Sequence, residues 1–261
     1  RDTWTAEVEK WDHLADLQIA IPTSLQIKRL RFATIATPDD PAKLYDIGLS
    51  VARSDPKAPP GFFGAVLQEI LNTLTNSSDP RRAVRFLKVA SERASTDSNP
   101  SDPVGIDVVV RVWFGRMVAV GTDSDAREFV EFIDSRNRFD WMFLTLGREF
   151  EGKHRHEQRA ELAYRIASNM MALNRDETGE STLRYALSED PQHGFANNDL
   201  GYNLADRGEQ LEDAERMLAT AFRVLPDRGS VTDSLGWLRY KQGRLTDAVD
   251  PATGEMVPGA I

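Results

Sequence analysis

The sequence of 261 residues contains no cysteine, and this absence excludes two kinds of structure. Without thiols the chain can form neither a disulfide framework nor a thiolate zinc site. No run of the sequence approaches the roughly 18 apolar residues of a membrane-spanning helix, so we predict no membrane span in it. Basic residues are in the minority, with 32 Lys and Arg against 41 Asp and Glu. The net charge of −9 argues against nucleic acid as a partner, because phosphate binding needs clustered cations.

Motifs of common enzyme classes are also absent. The chain has no Gly-x-Ser-x-Gly elbow, no Gly-rich phosphate loop and no dinucleotide fingerprint. His156 and Glu157 begin like a zinc-protease helix motif, but Ala160 stands where the second histidine is needed. The close pair His154 and His156 is interpreted as solvated residues at the start of a helix. We therefore predict a protein that is not an enzyme, with no catalytic residues, no metal and no cofactor.

The chain begins at Arg1 rather than at a methionine, and no signal-like apolar stretch follows. This start indicates an excised or processed piece of a longer protein. Its compartment stays open between the cytoplasm and export from a bacterial cell, since bacterial proteins of both kinds can lack cysteine. The composition, 41% hydrophobic and 28% charged, suits one extended helical array or two smaller domains.

Two segments near the C-terminus share a pattern 35 residues apart. Asn197–Tyr202 contains Leu-Gly followed by an aromatic residue, and Asp233–Trp237 has the same order. A small residue such as Gly201 or Ala214 allows two antiparallel helices to approach closely, because a larger side chain would separate their backbones. The spacing therefore predicts helices packed in pairs.

Glycine and proline mark the predicted ends of these helices. Gly208 and Gly243 stand just past the first helix of each pair, because glycine tolerates the left-handed conformation common there. Pro226 closes the second helix and directs the chain into the next unit. A pair of helices every 35 residues is typical of stacked helical hairpins.

These segments resemble tetratricopeptide repeats, whose period is about 34 residues with Leu-Gly, Ala, Phe and Pro at fixed offsets. The resemblance extends over about Glu161–Val249, roughly a third of the chain. The chain departs from the family where the early tryptophan is replaced and where an extra residue falls near Glu209 and Gln210. The matching residues are Gly201, Ala214, Ala221 and Pro226 in one unit, Gly236 and Ala248 in the next, and Ala167, Gly179, Leu183, Ala186 and Pro191 in an upstream copy.

The resemblance implies an all-α fold, a right-handed superhelical solenoid of antiparallel helix hairpins. We assign tetratricopeptide repeats to residues 156–261, with the last repeat incomplete, and divergent helical-hairpin repeats to residues 1–155. The second assignment rests on apolar residues at helical spacing between turn signals, and on Pro22 and Pro56, which are 34 residues apart. About twelve to fourteen helices are expected.

Some segments upstream of the repeats have their own predictions. Trp4–Leu17 is expected to be helical, Ser95–Pro103 to be a long loop, and Trp141–Phe150 to begin another helix. Ile106–Phe114 contains four valines and fits either a buried strand or a helix face. We favour a helix, because no partner strand is evident that could satisfy the hydrogen-bonding groups of a single strand.

The resemblance also implies a function. In tetratricopeptide arrays the first helix of each hairpin lines a concave groove, so we expect a non-enzymatic scaffold that binds a protein or peptide there. Tyr and Trp suit recognition because they bury much area while losing few rotamers. The alternative, that Tyr202 and Trp237 pack between helices, stays open. The groove positions carried over are Tyr164, Ser168, Met171, Asn198, Tyr202, Ala205, Asp233, Trp237, Tyr240 and Lys241.

The same groove is expected to reject one kind of ligand. Repeats that hold acidic C-termini resemble a clamp of Lys, Arg and Asn side chains on the first helices. Here only Arg165 and Asn198 fall at suitable places, so we predict no tight binding of such termini. A second functional class is kept as the alternative: a helical-repeat enzyme subunit with the architecture of the α-subunit of protein prenyltransferases, or an accessory domain of a catalytic polypeptide.

The C-terminal end of the array shows no capping helix. Helix-forming residues at Leu245–Val249 run into Asp250–Gly254, where proline and glycine break the pattern. Apolar residues of the last unit are therefore expected to be partly exposed, which predicts a homo-oligomer formed end to end. These residues are Leu235, Leu238, Leu245 and Val249.

Overall fold

The computed structural model of the chain describes residues 23–53, 62–94, 106–147, 154–244, 248–249 and 256–257. The helix expected over Trp4–Leu17 and the loop expected over Ser95–Pro103 lie outside these residues, as do Pro22 and Pro56. What is described is helical, apart from one pairing of two very short strands.

The described residues form twelve α-helices, within the range expected from the sequence. The first five are α1 (Thr23–Ala36), α2 (Pro41–Arg53), α3 (Phe62–Thr75), α4 (Arg81–Ala94) and α5 (Ile106–Val120). The next seven are α6 (Asp123–Ser135), α7 (Phe139–Thr145), α8 (Arg155–Ala172), α9 (Asp176–Glu189), α10 (Gly194–Arg207), α11 (Leu211–Val224) and α12 (Gly229–Gln242). Strands β1 (Ala248–Val249) and β2 (Met256–Val257) pair antiparallel.

The chain divides into two compact units, Arg1–Gly121 and Thr122–Ile261. The division falls between α5 and α6. It concerns packing and not repeat type, so the assignment of divergent repeats to residues 1–155 and of tetratricopeptide repeats to residues 156–261 stays a prediction.

In the first unit, helices that follow one another in the chain pack together and bury an apolar core. The ring of Tyr45 on α2 meets the ring of Phe63 on α3 edge-on, with centroids 5.7 Å apart. The valine-rich segment is helical and forms the start of α5, as favoured above. Trp113 and Met117, one turn apart on that helix, are almost fully buried, which explains why its apolar residues follow helical spacing.

The second unit contains the most regular part of the fold. Helices α9 to α12 have 14 residues each. Helix α10 begins at Gly194 and α12 begins at Gly229, which is 35 residues later. Helices α9 and α11 begin at Asp176 and Leu211, which are the same distance apart. The period seen in the sequence is therefore the period of the helical hairpins.

Close approach of the paired helices is confirmed at Gly201. A Cβ atom on this residue would lie 2.9 Å from Cγ of Leu218, so helices α10 and α11 meet where only glycine fits. The predicted helix ends are confirmed as well, since Gly208 and Gly243 have φ angles of 68° and 71°. Gln210 also has a positive φ, of 45°, and it accommodates the extra residue of this turn.

Helix α12 presents two glycines to open space. Gly194 at the start of α10 lies against α11, because a Cβ on it would be 2.7 Å from Cδ1 of Leu225. The equivalent residue of α12 is Gly229, and the equivalent of Gly201 is Gly236. Neither has a heavy atom of the described residues within 4 Å of its added Cβ. Within the described residues, α12 therefore lacks the neighbour that α11 provides for α10.

The structure corrects three expectations. Leu235 and Leu238 are fully buried rather than partly exposed, because α12 packs on both α10 and α11. This removes two of the four side chains on which end-to-end association was argued; Leu245 lies outside the described residues. Ala248–Val249 is extended and not helical, since so short a run before proline and glycine cannot nucleate a helix. Helix α7 begins at Phe139 and ends at Thr145, so it does not extend to Phe150.

Candidate functional site

A groove of about 500 Å³ lies between the first helices of successive hairpins in the second unit. Its walls come from α10 and α12, and Met171 near the end of α8 closes one side. The regular period places these helices side by side, because each begins a hairpin. The lining residues are Met171, Asn198, Asp199, Tyr202, Asn203, Ser230, Asp233, Ser234 and Trp237.

Aromatic side chains form the exposed part of the groove. Tyr202 on α10 is 40% exposed and Trp237 on α12 is 36% exposed. The sequence left open whether these rings pack between helices, and the structure places them at the surface. The indole Nε1 of Trp237 donates a hydrogen bond of 3.1 Å to Oδ1 of Asp206, which fixes the ring. Tyr240 stacks on the same indole with centroids 5.2 Å apart.

The floor of the groove is polar. Nδ2 of Asn198 donates to Oδ1 of Asp199 at 3.1 Å, and this bond determines how the amide is oriented. Oδ1 of Asn198 is then buried without a hydrogen-bond donor among the described residues. Burial raises the pKa of Asp199, and the opposing effects of Asn198, Tyr164 and His193 do not cancel it. The floor thus holds one acceptor without a donor, Oδ1 of Asn198, and one carboxyl group, that of Asp199, whose charged form is disfavoured by burial.

Beneath the floor, a buried cluster connects α8 to the start of α10. Nε2 of His193 lies 3.0 Å from Oε2 of Glu161, and Nε of Arg165 lies 2.6 Å from Oε1 of the same carboxylate. Tyr164 lies beside this cluster, with its ring tilted against that of His193 and the two centroids 5.1 Å apart. Arg165 is therefore engaged with Glu161. This supports the expectation that the groove does not clamp an acidic C-terminus.

Comparisons with known proteins agree with the repeat pattern. No family model matches the chain, and no solved structure does. The chain is 34% identical over 100 residues to a TPR repeat-containing protein of Pseudomonas aeruginosa. The similarity covers 38% of this chain and 17% of that relative, so the chain spans much less than two thirds of the relative's length. The helical hairpins of this chain are thus similar to tetratricopeptide repeats in both sequence and helix order.

The helical hairpins bring together five of the ten groove residues that the sequence predicted. Met171, Asn198, Tyr202, Asp233 and Trp237 line the groove.

The other five predicted residues are not among the lining residues, and Ala205 is fully buried in the core. Tyr164 is half-buried beside His193, and Ser168 is exposed on α8. Tyr240 is 60% exposed and supports Trp237 from outside the groove. Nζ of Lys241 donates to the backbone oxygen of Asp206 at 2.7 Å, which ties the end of α12 to α10.

Sequence reasoning missed Asp199, Asn203, Ser230 and Ser234. A usable signal existed for three of them in the repeat period. A shift of 35 positions carries the predicted Tyr164 onto Asp199 and the predicted Ser168 onto Asn203, and a second shift carries Asp199 onto Ser234. Because equivalent positions of stacked repeats face the same surface, the period alone was enough to add these three residues.

A metal site and a membrane-spanning helix are both absent from the described residues. Among the described residues, no three His, Asp or Glu side chains come close enough together to hold a metal ion. No helix in this part of the chain combines the length and apolar character needed to span a membrane.

Proposed function

We propose that this chain is a non-enzymatic scaffold whose groove between α10 and α12 binds an extended segment of a protein partner. The observation that carries the proposal is the position of Tyr202 and Trp237, which stand on equivalent turns of two successive first helices. Both rings are exposed beside a cavity large enough for several side chains. Rigid aromatic residues at such a place supply contact area at little cost in conformational entropy.

The polar floor supports an extended ligand in particular. A peptide backbone carries one N–H donor per residue, and Oδ1 of Asn198 is a buried acceptor that lacks a donor. Because Asn198 lines the groove, a rotation of its amide would let a backbone N–H in the groove satisfy this acceptor. The TPR repeat-containing relative is consistent with a protein-interaction role, and the identity of the partner is left to experiment.

The proposal is tested with a phage-displayed library of random 12-residue peptides selected on the immobilised chain. Selected peptides are synthesised with a fluorescent label, and their dissociation constants are measured by anisotropy. We expect the double variant Tyr202→Ala/Trp237→Ala to bind these peptides at least tenfold more weakly, since truncated aromatic anchors typically cost more than about 1 kcal/mol each.

The matched control removes two exposed apolar side chains elsewhere. Ile35 and Leu144 are 56% and 65% exposed, and neither lines the groove. The variant Ile35→Ala/Leu144→Ala should bind the peptides as the unchanged chain does. If selection yields no peptide, or if the Tyr202 and Trp237 double variant binds as tightly as the control variant, the groove is not the binding site.

A further inference from the structure

The groove carries negative charge that no lining residue compensates. Asp199 and Asp233 both line it, whereas none of its nine lining residues is a Lys, Arg or His. Asp199 accepts hydrogen bonds from the neutral side chains of Asn198 and Tyr164, and no salt bridge to Asp199 or Asp233 is present within the described residues.

Three basic side chains on or next to the helices that form the groove are committed elsewhere. Arg165 pairs with Glu161 at 2.6 Å, and Lys241 donates to the backbone oxygen of Asp206. Arg228 lies over the ring of Phe195, with its guanidinium carbon 5.7 Å from the ring centroid. His193 lies near Asp199 but is bonded to Glu161, so among the nine lining residues the two groove carboxylates have no cationic partner.

A second feature of the floor favours a donor-rich ligand group. Asn198 is more than nine-tenths buried, and its Oδ1 atom has no donor within the described residues. An ammonium group carries three N–H donors and a guanidinium carries five, so either can serve a carboxylate and an amide oxygen together. The nearby rings of Tyr202 and Trp237 add to this preference, because the faces of aromatic rings attract cations.

From this combination we infer that the groove selects a peptide segment with a lysine or arginine side chain, which enters between Tyr202 and Trp237 and is held by Asp199, Asp233 and Asn198. The inference rests on the proposed function, since it concerns the same groove. It makes the partner a basic or locally basic segment, in accord with the net charge of −9 of this chain.

The test uses the peptides selected from the random 12-residue library. We expect Lys or Arg to be enriched at one fixed position relative to the apolar residues around it. Replacing that residue by norleucine, which keeps the chain length and removes the charge, should weaken binding at least tenfold. The variant Asp199→Asn/Asp233→Asn should weaken binding of the lysine peptide by a similar factor and should leave binding of the norleucine peptide nearly unchanged.

A stability measurement separates recognition from a structural role. Burial raises the pKa of Asp199, so the charged form is disfavoured in the folded chain. Asp199→Asn removes this unfavourable charge and should melt at the same temperature as the unchanged chain at pH 7, or higher, while binding the lysine peptide less well. A lower melting temperature together with unchanged affinity would assign Asp199 a structural role and overturn the inference.

The remaining outcomes are distinguishable. Peptides that need Tyr202 and Trp237 but carry no fixed Lys or Arg would overturn the charge preference and leave the proposed function in place. Enrichment of Asp or Glu would do the same. Failure to select any peptide would overturn both. Binding of the lysine peptide should also weaken as salt is raised from 50 to 300 mM, because the contact is ionic.

Discussion

His193 donates from Nε2 to the carboxylate of Glu161, and the two atoms lie 3.0 Å apart. The direction of this bond follows from the other ring nitrogen, since Nδ1 accepts from the backbone N–H of Ala196 at 3.1 Å. A neutral imidazole has one donor and one acceptor, so the proton lies on Nε2. One side chain thus caps the start of α10 and bonds to the preceding hairpin at the same time.

Two substitutions of His193 should separate the helix cap from the bond to Glu161. His193→Ala removes the cap and the bond to Glu161, and we expect a loss of about 2–4 kcal/mol of stability. His193→Asn keeps a side chain that caps helices well and should lose about half as much. The measurement is urea unfolding followed by circular dichroism. Equal losses for the two variants would contradict a separate capping contribution.

The two glycines at equivalent places in successive hairpins should respond oppositely to alanine. Gly201→Ala places a methyl group 2.9 Å from Cγ of Leu218, and overpacking of this kind costs about 1–3 kcal/mol. Gly236→Ala places the same group in open space on a helix, where alanine is favoured by up to about 1 kcal/mol. Melting temperatures of the two variants should therefore move in opposite directions. Destabilisation by both would contradict the open face of α12.

Arg159 connects α8 to both α6 and α9. Its Nε and Nη2 atoms bond to the two oxygens of Glu189 at 2.9 and 2.8 Å, and its Nη1 bonds to Asp134 at 3.0 Å. Arg159→Lys should lose about 1–3 kcal/mol, because one ammonium cannot reproduce this planar, branched geometry. Arg159→Met should lose at least as much.

The stability lost on replacing Arg159 should become smaller as the solution is made acidic. The hydrogen bond from Arg159 holds the pKa of Glu189 below its ordinary 4.5, against the opposing effect of burial. A lowered pKa in the folded state gives stability that is present above about pH 4.5 and is lost as pH falls through the lower value. The difference between Arg159→Met and the unchanged chain should therefore shrink below that pH. A difference that stays constant from pH 7 to pH 3 would contradict this role of the ion pair.

The buried phenol of Tyr185 should make the stability of the fold depend on pH in alkaline solution. Burial raises the pKa of this phenol from 10.0 to about 12. Because the phenol ionises more readily in the unfolded chain, the stability that neutral Tyr185 contributes is fully present below pH 10.0. It is lost as pH rises toward 12. A shift of this size corresponds to about 2–3 kcal/mol. Tyr185→Phe cannot ionise, so its stability should fall less between pH 10 and pH 12, as measured by urea unfolding at each pH. Parallel curves for the two chains would contradict the shift.

The repeated part of the fold was predictable because its determinants are local and recur. Gly201 requires a close neighbour, Gly208 requires a left-handed turn, and the 35-residue interval repeats both. The burial of Leu235 and Leu238 was missed, because it depends on how α12 sits against two earlier helices. The pairing of Ala248–Val249 with Met256–Val257 was missed for a similar reason, since it joins segments separated by proline and glycine.

The candidate site was predictable to the extent that it follows from the repeat. Asn198, Tyr202 and Trp237 were found because they stand on the first helices, and Asp199 was omitted although the same period leads to it. The bond between His193 and Glu161 was beyond sequence reasoning. It joins residues 32 positions apart through a tautomer that only the geometry around Ala196 defines.

The open space beside Gly229 and Gly236 bears on how the protein moves. In repeat arrays each hairpin is stabilised mainly by its neighbours, so a helix packed on one side opens more readily than one enclosed on both. Helix α12 should therefore be the first of the regular helices to exchange its amide hydrogens, through local opening that frees Trp237 from Asp206. A ligand that bridges α10 and α12 would slow this opening, and the same contacts that recognise the partner would then hold α12 in place.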